Sequence, residues 1–139
     1  MMKTFLAVLI FSLALGCAKK PGKEDLHYLN GYWEIDKVVF PKGDVKTYDL
    51  NRTVDYLSLE GNQGYRKKVQ PKLDGSFITS NDAEPFVILE DNGKLIMSYK
   101  NALSQWREQI EALSSDNFTV VNDENIRYYY KRFQPLNIP

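Results

Sequence analysis

From Tyr28 onward, the chain consists of short apolar and aromatic segments that recur every eight to twelve residues, with turn-forming residues between them. This spacing is typical of an all-β sandwich or barrel. The first segment, residues 31–40, places Trp33, Ile35 and Val39 on one side of a strand and acidic residues between them. A strand buried on one face shows this alternation.

The later segments are joined by turn sequences that favour hairpins. Residues 53–60 and 65–69 flank a Gly-Asn-Gln-Gly turn, and an Asp-Gly pair leads into residues 76–79. Residues 85–90 and 94–99 flank Asp-Asn-Gly, which is a strong signal for a tight hairpin turn. Successive hairpins predict an antiparallel up-and-down meander.

Residues 103–113 fit two structures. Leu103, Trp106, Ile110 and Leu113 have the spacing of an apolar helical stripe. A strand would place Trp106 and Ile110 on one face together with Glu108 and Ala112. The polar turn 114–117 is followed at once by two further strand-like segments, so we favour the strand. The domain then contains eight or nine strands.

A meander of this many strands either stacks as two sheets or closes, and closure removes the exposed edges. An eight-stranded barrel is just wide enough to be filled by side chains or to hold one small ligand. The expected fold class is therefore all-β, an antiparallel meander closed into a barrel of about eight strands.

The N-terminal residues have the features of an export signal. A positive start at Lys3 precedes the apolar run 5–15, which is too short to span a bilayer as a helix, since that takes about 20 residues. Gly16 and Cys17 follow, and the stretch Leu-Ala-Leu-Gly-Cys resembles the lipobox of bacterial lipoproteins. This resemblance implies cleavage before Cys17 and attachment of lipid to it.

The predicted organisation is a signal peptide over 1–16, the lipidated Cys17 with a flexible tether over 17–27, and one domain over 28–135. Lipid on Cys17 would place the domain in the bacterial cell envelope. The residue directly after Cys17 is Ala18 and not an aspartate, which by analogy with lipoproteins favours the outer membrane. An unmodified thiol on Cys17, or an intermolecular disulfide, is the alternative to lipidation.

Charge and residue chemistry argue against several functions. The chain has 18 basic and 18 acidic residues and lacks the positive field that nucleic-acid binding requires. It has one histidine, His27, and one cysteine, so we expect neither a catalytic triad nor a zinc site. We predict no enzyme activity, no cofactor and no metal, although a calcium site built only from carboxylates stays open.

The triplet Gly31-Tyr32-Trp33 on the first strand is similar to the Gly-x-Trp signature that opens lipocalin barrels. The resemblance covers residues 28–134 and implies a lipocalin-like barrel, as in small bacterial lipoproteins. It also implies that Trp33 plugs the closed end and that Arg132, near the end of the last strand, packs across it. Gly31, Trp33 and Arg132 are thus predicted as structural residues that close the barrel.

Aromatic residues on the predicted strands are the candidates for ligand contact, because ligand pockets are mostly apolar with few polar groups. For any single tyrosine, packing in the core or on the outer face is the alternative. The candidates are Tyr56, Tyr65, Phe77, Tyr99, Tyr128 and Tyr130.

Two functions follow from these expectations. The first is a membrane-anchored barrel that binds a small hydrophobic or amphipathic molecule without catalysis. The second is an envelope interaction or inhibitor module whose barrel is filled by side chains and whose outer face binds a protein. The sequence leaves the oligomeric state open.

Overall fold

The computed structural model describes residues 20–48, 53–79 and 81–134. One short helix and ten strands make up this part of the chain. The strands are β1 Gly31–Val39, β2 Val45–Thr47, β3 Val54–Glu60, β4 Gln63–Pro71, β5 Phe77–Thr79, β6 Glu84–Asp91, β7 Lys94–Lys100, β8 Gln105–Leu113, β9 Asn117–Asn122 and β10 Arg127–Arg132.

Eight of the strands form a closed antiparallel barrel. Their order is β1, β3, β4, β6, β7, β8, β9, β10, and β10 pairs back onto β1 with Trp33 opposite Arg132. The two short strands β2 and β5 lie beside β1 and β4. The expected fold class is confirmed, and closure leaves the backbone groups of the eight strands paired around the cylinder.

Residues Lys23–Leu29 form a 3-10 helix that lies against β3 and β8. The helix begins where Asp25 accepts a hydrogen bond from the Gly22 N–H through Oδ2, at 3.0 Å. Leu26 and Leu29 are buried, and their spacing of three residues matches the period of a 3-10 helix. These two leucines anchor the helix to the barrel core.

This helix corrects the prediction of a flexible tether over 17–27. Residues 23–27 are helical and Leu26 packs in the core, so the packed structure begins before residue 28. A seven-residue helix with two apolar side chains gives almost no periodic signal, which is why the sequence suggested a tether. Residues 1–19, including Cys17, lie outside the described residues.

The core fills the end of the barrel next to the helix. Its side chains come from the helix and from strands on every side of the barrel. The largest fully buried members are Trp33, Tyr99, Phe86, Phe118, Leu29, Leu57 and Met97. The other end has a polar and aromatic lining and contains the cavity described below.

The hairpin predictions are confirmed, and residues 105–113 form a strand. One facing was wrong: Val38, rather than Val39, is buried in β1. The pairing of β1 with β10 shifts between Ile35 and Lys37, and this β-bulge adds one residue. The extra residue inverts the alternation, so the positions beyond it exchange faces.

A candidate ligand site inside the barrel

The open half of the barrel contains a cavity of about 480 Å³. A second cavity of about 290 Å³ extends from it toward Trp33. The two share four lining residues, Asp55, Lys68, Tyr128 and Tyr130. Together they have the size of a small-molecule site.

Asp55 and Arg66 form an ion pair at the inner wall of the cavity. Asp55 is 5% exposed and lies on β3, next to the pairing strand β4 that supplies Arg66. The Asp55 Oδ2 accepts hydrogen bonds from Arg66 Nη2 at 2.6 Å and from Nε at 3.2 Å. Lys68 Nζ donates to Oδ1 at 3.0 Å. Both carboxylate oxygens are therefore bonded to cations.

These contacts decide the charge state of Asp55. Burial by itself would raise the pKa of Asp55, but the charges and hydrogen bonds of Arg66 and Lys68 outweigh it and hold the pKa below its ordinary value. Asp55 is ionised at neutral pH. Arg66 stays charged, since its pKa is raised well above the ordinary value by Tyr130, Asp55, Tyr99 and Glu108 despite burial.

Glu108 on β8 lies across the cavity with far weaker bonding. Its nearest cation is Arg66, whose Nη1 lies 3.9 Å from Glu108 Oε2. Within the described part of the chain, Oε2 is shielded from solvent and has no hydrogen-bond partner. Burial raises the pKa of Glu108 above its ordinary value, with Arg66 opposing and Asp55 adding to the rise. Glu108 Oε2 can therefore still accept a hydrogen bond, whereas both carboxylate oxygens of Asp55 already do.

Aromatic rings form the rest of the lining. Trp106 stacks on Tyr99, with ring centroids 5.0 Å apart and planes within 4°. The Tyr99 hydroxyl accepts a hydrogen bond from Arg66 Nη1 at 3.2 Å, and burial raises the pKa of Tyr99 to about 12. Tyr130 lies under the Arg66 guanidinium at 5.0 Å. The wall therefore offers flat apolar surfaces beside fixed charges.

Trp33 and Arg132 lie at the opposite end of the barrel, under the helix. The Arg132 guanidinium is 3.7 Å from the centroid of the Trp33 ring, a cation–π distance. It also donates to the carbonyls of Tyr28, Asn30 and Ser115 at 2.7, 2.9 and 2.8 Å. Arg132 thus joins the helix, the start of β1 and the loop before β9.

Gly31 provides the space for Arg132. Its φ of +120° lies in a region that favours glycine. A Cβ at this position would lie 2.7 Å from Arg132 Nη1. Any side chain here would therefore strain the backbone and displace the guanidinium.

The six aromatic candidates divide between the two faces of the sheet. Tyr99, Tyr128 and Tyr130 line the large cavity. The other three do not: Tyr56 contacts Tyr32 and Tyr65, and Phe77 stacks on Tyr32 at 4.3 Å. Tyr32 lies between Gly31 and Trp33, whose positions on β1 face the barrel interior, so Tyr32 faces outward. This aromatic cluster therefore covers the outside of the barrel.

The remaining cavity residues are ones that the sequence analysis did not select as ligand contacts. They are Asp55, Arg66, Lys67, Lys68, Asp82, Glu84, Trp106 and Glu108. Arg66 begins the basic run Arg66-Lys67-Lys68, and a short run of this kind is typical of a solvated strand face. Alternation along the strands was the available signal for these residues. Asp55 lies two positions before the buried Leu57, and Leu57 pairs with Arg66 across the hairpin, so all three share one face of the sheet. In the same way, Trp106 shares a face with the buried Ile110.

The histidine of the chain lies away from the cavity. His27 is on the helix, with Nδ1 2.8 Å from the Glu24 carbonyl oxygen. In the residues whose positions are described, no group of three or more potential ligands is arranged to hold a metal ion. Over the same ranges, no helix has the length and apolar character needed to cross a membrane.

A match to a known protein family agrees with this architecture. Residues 29–120 match the family described as lipocalin-like domain. No functionally curated protein matches the chain. Similar solved structures include a lipocalin-like protein from Bacteroides uniformis, at 9% identity and a TM-score of 0.48, covering 76% of this chain and 99% of that one.

Two apocrustacyanin structures are also similar. Apocrustacyanin C1 is 11% identical, with a TM-score of 0.48 and coverage of 83% of this chain and 67% of that one. Lobster apocrustacyanin A1 is 11% identical, with a TM-score of 0.46 and coverage of 82% and 66%. The match over residues 29–120 extends through most of the barrel. The chain belongs to the lipocalin-like domain family.

Proposed function

We propose that this protein binds a small amphipathic molecule inside its barrel and does not catalyse a reaction. The observation that carries the proposal is the cavity of about 480 Å³ between the core and the open end. A barrel filled by side chains would leave no such volume, since protein interiors are normally close-packed.

The lining supports an amphipathic ligand over a purely apolar one. The stacked Trp106 and Tyr99 offer an apolar wall, while Arg66, Asp55 and Glu108 place charges at its edge. Such a combination of apolar surface with a few fixed polar groups is typical of small-molecule sites. Barrel proteins of this size commonly hold one ligand.

Titration with N-phenyl-1-naphthylamine, a neutral fluorescent probe, tests binding inside the barrel. We expect the probe to bind, and Trp106→Ala to weaken it about tenfold, as loss of a buried aromatic contact does. Tyr65→Ala is the matched control, since it removes an aromatic ring from the outer face, and binding should stay within about twofold. Equal losses in both variants would contradict an interior site.

Mass spectrometry of the purified protein under native conditions is the second test. A bound small molecule in stoichiometric amount, released on unfolding, is the expected result. The interaction module would be favoured instead if the purified protein contained no small molecule, did not bind the probe, and bound a protein partner in stoichiometric amount.

We also propose that lipid on Cys17 anchors the barrel to a membrane of the bacterial envelope, with the outer membrane favoured. The order of Lys3, the apolar run 5–15, Gly16 and Cys17 supports this. Several acyl chains would hold the domain stably, whereas one is marginal. Growth with an alkyne-labelled palmitate should label the wild type in the membrane fraction. Labelling of Cys17→Ser to the same extent would refute the anchor.

A further inference from the structure

The charge distribution of the cavity indicates the class of its ligand. Among the described residues that line it, four carry carboxylates and three carry positive charges. Two of the positive charges, on Arg66 and Lys68, are bonded to Asp55. The third, on Lys67, lies 5.7 Å from the outward-facing ring of Tyr65. Asp55 therefore accepts hydrogen bonds from two of these cations, whereas Glu108, in the part of the chain described, has only the longer ion-pair contact of 3.9 Å with Arg66.

Glu108 is the cavity carboxylate with a shielded oxygen that no hydrogen bond from the described residues reaches. Its side chain as a whole is 15% exposed, and the shielded oxygen is Oε2. A buried acceptor left without a hydrogen bond destabilises the folded protein. The groups around it include Arg66 on β4, Asp55 on β3, Tyr99 on β7, and Tyr128 and Tyr130 on β10. A donor supplied by a ligand would remove this destabilisation.

Two aromatic rings beside Glu108 favour a positively charged donor. Trp106 and Tyr128 line the same cavity, and the faces of such rings attract organic cations. Asp82 and Glu84 also line this cavity. An anionic ligand would meet these carboxylates, and it could pair with the buried Arg66 only by displacing Asp55. The same cavity therefore favours cations over anions.

We propose that the ligand is an amphipathic organic cation, whose ammonium group pairs with the Glu108 carboxylate between Trp106 and Tyr128 while its apolar part occupies the cavity. The proposal rests on the proposed function, because it requires a ligand inside the barrel. It assigns Glu108 the role of selecting charge, whereas the aromatic wall provides the apolar contact. Arg66 and Asp55 neutralise each other's charge, and Arg66 also fixes the position of Tyr99 through a hydrogen bond to its hydroxyl.

Three probes that differ only in the headgroup test this assignment: decylamine, decanol and decanoate. Binding is measured by isothermal titration at pH 7.5 with the wild type and with Glu108→Gln, which keeps the shape and removes the charge. Glu111→Gln is the matched control. It lies on the same strand, and its carboxylate pairs with Arg127 instead of facing the cavity.

We expect decylamine to bind tightest to the wild type, and Glu108→Gln to weaken it about tenfold or more, as loss of a charged hydrogen bond does. Decanol affinity should change by less than about threefold, and Glu111→Gln should change neither. Decanoate binding as tightly as decylamine, or decylamine binding unaffected by Glu108→Gln, overturns the cation proposal while interior binding stands. Failure of all three probes to bind the wild type overturns interior binding itself.

Discussion

Removal of the Asp55 charge is the most informative perturbation of this barrel. Asp55→Asn preserves the size of the side chain but takes away the carboxylate that bonds Arg66 at 2.6 and 3.2 Å. The Arg66 side chain is only 13% exposed, so hydrogen bonds to water replace few of the bonds that it loses. Its remaining carboxylate neighbour is Glu108 at 3.9 Å. In the variant, the buried Arg66 cation therefore lacks its closest carboxylate partner and keeps only the longer carboxylate contact, with Glu108.

The size of the effect follows from these contacts. Breaking a buried ion pair by removing one partner costs about 3–5 kcal/mol. The bond to Lys68 adds little, because the Lys68 side chain is 74% exposed and exposed pairs contribute about 0–1 kcal/mol. We expect Asp55→Asn to lower the free energy of unfolding by about 3 kcal/mol. A domain has about 5–15 kcal/mol in total.

Urea unfolding followed by tryptophan fluorescence measures this loss at pH 7. Arg66→Met removes the cation, and the double variant Asp55→Asn/Arg66→Met should lose less stability than Asp55→Asn alone, because no buried charge is left without its partner. Glu111→Gln removes the same charge from the half-exposed pair with Arg127 and should cost less than about 1 kcal/mol.

The pH dependence gives an independent check. The pKa of Asp55 is held below its ordinary value, so its stabilisation is present above the unfolded-state pKa of about 4 and is lost as the pH falls through the folded-state pKa. The difference between wild type and Asp55→Asn should be constant from pH 7 to about pH 5 and shrink in stronger acid. A loss under about 1 kcal/mol at pH 7, or a double variant less stable than the single, would refute the reasoning.

Three further substitutions test the base of the barrel and the cavity. Gly31→Ala should lower the free energy of unfolding by about 2 kcal/mol or more in chemical denaturation, since φ is +120° and the new Cβ would meet Arg132; an unchanged midpoint would contradict this. Arg132→Lys keeps the charge but cannot reach three carbonyls and cover Trp33 at once, so the melting temperature should fall by several degrees, about 4–8 °C per kcal/mol. Glu108→Gln should stabilise the ligand-free protein near pH 8 and not near pH 4. Because the pKa of Glu108 is raised in the folded state, the protein is most stable with this carboxyl protonated, below the unfolded-state pKa, and it loses that stability as the pH rises through the folded-state pKa. Thermal melts across that range would show the opposite trend if Glu108 were well paired.

Local sequence information was sufficient for most of the strands and turns, although it did not predict β2 and left residues 103–113 open between strand and helix. The Asp74-Gly75 pair and the Asp-Asn-Gly stretch ending at Gly93 form the predicted turns, with φ of +86° at Gly75 and +76° at Gly93. Turn chemistry of this kind depends on a few neighbouring residues. The helix Lys23–Leu29 escaped prediction because it is stabilised by Leu26 and Leu29 in a core that distant strands provide.

The site was predicted only in part, for a reason that lies in β geometry. Three of the aromatic candidates line the cavity and three lie outside, because neighbouring positions on a strand face opposite sides. The bulge between Ile35 and Lys37 shows how one inserted residue exchanges the faces. Composition identified the aromatic residues but could not assign each of them a side.

The sequence by itself determined a run of hairpins, and it predicts the export signal, the lipid on Cys17 and the closing pair of Trp33 and Arg132. These depend on short motifs and on alternation within one strand. Only the tertiary structure decided that Glu108 shares a cavity with Asp55 and Arg66, because β8 faces the hairpin of β3 and β4 only when the barrel closes. Their charges interact through space, over distances that have no counterpart along the chain.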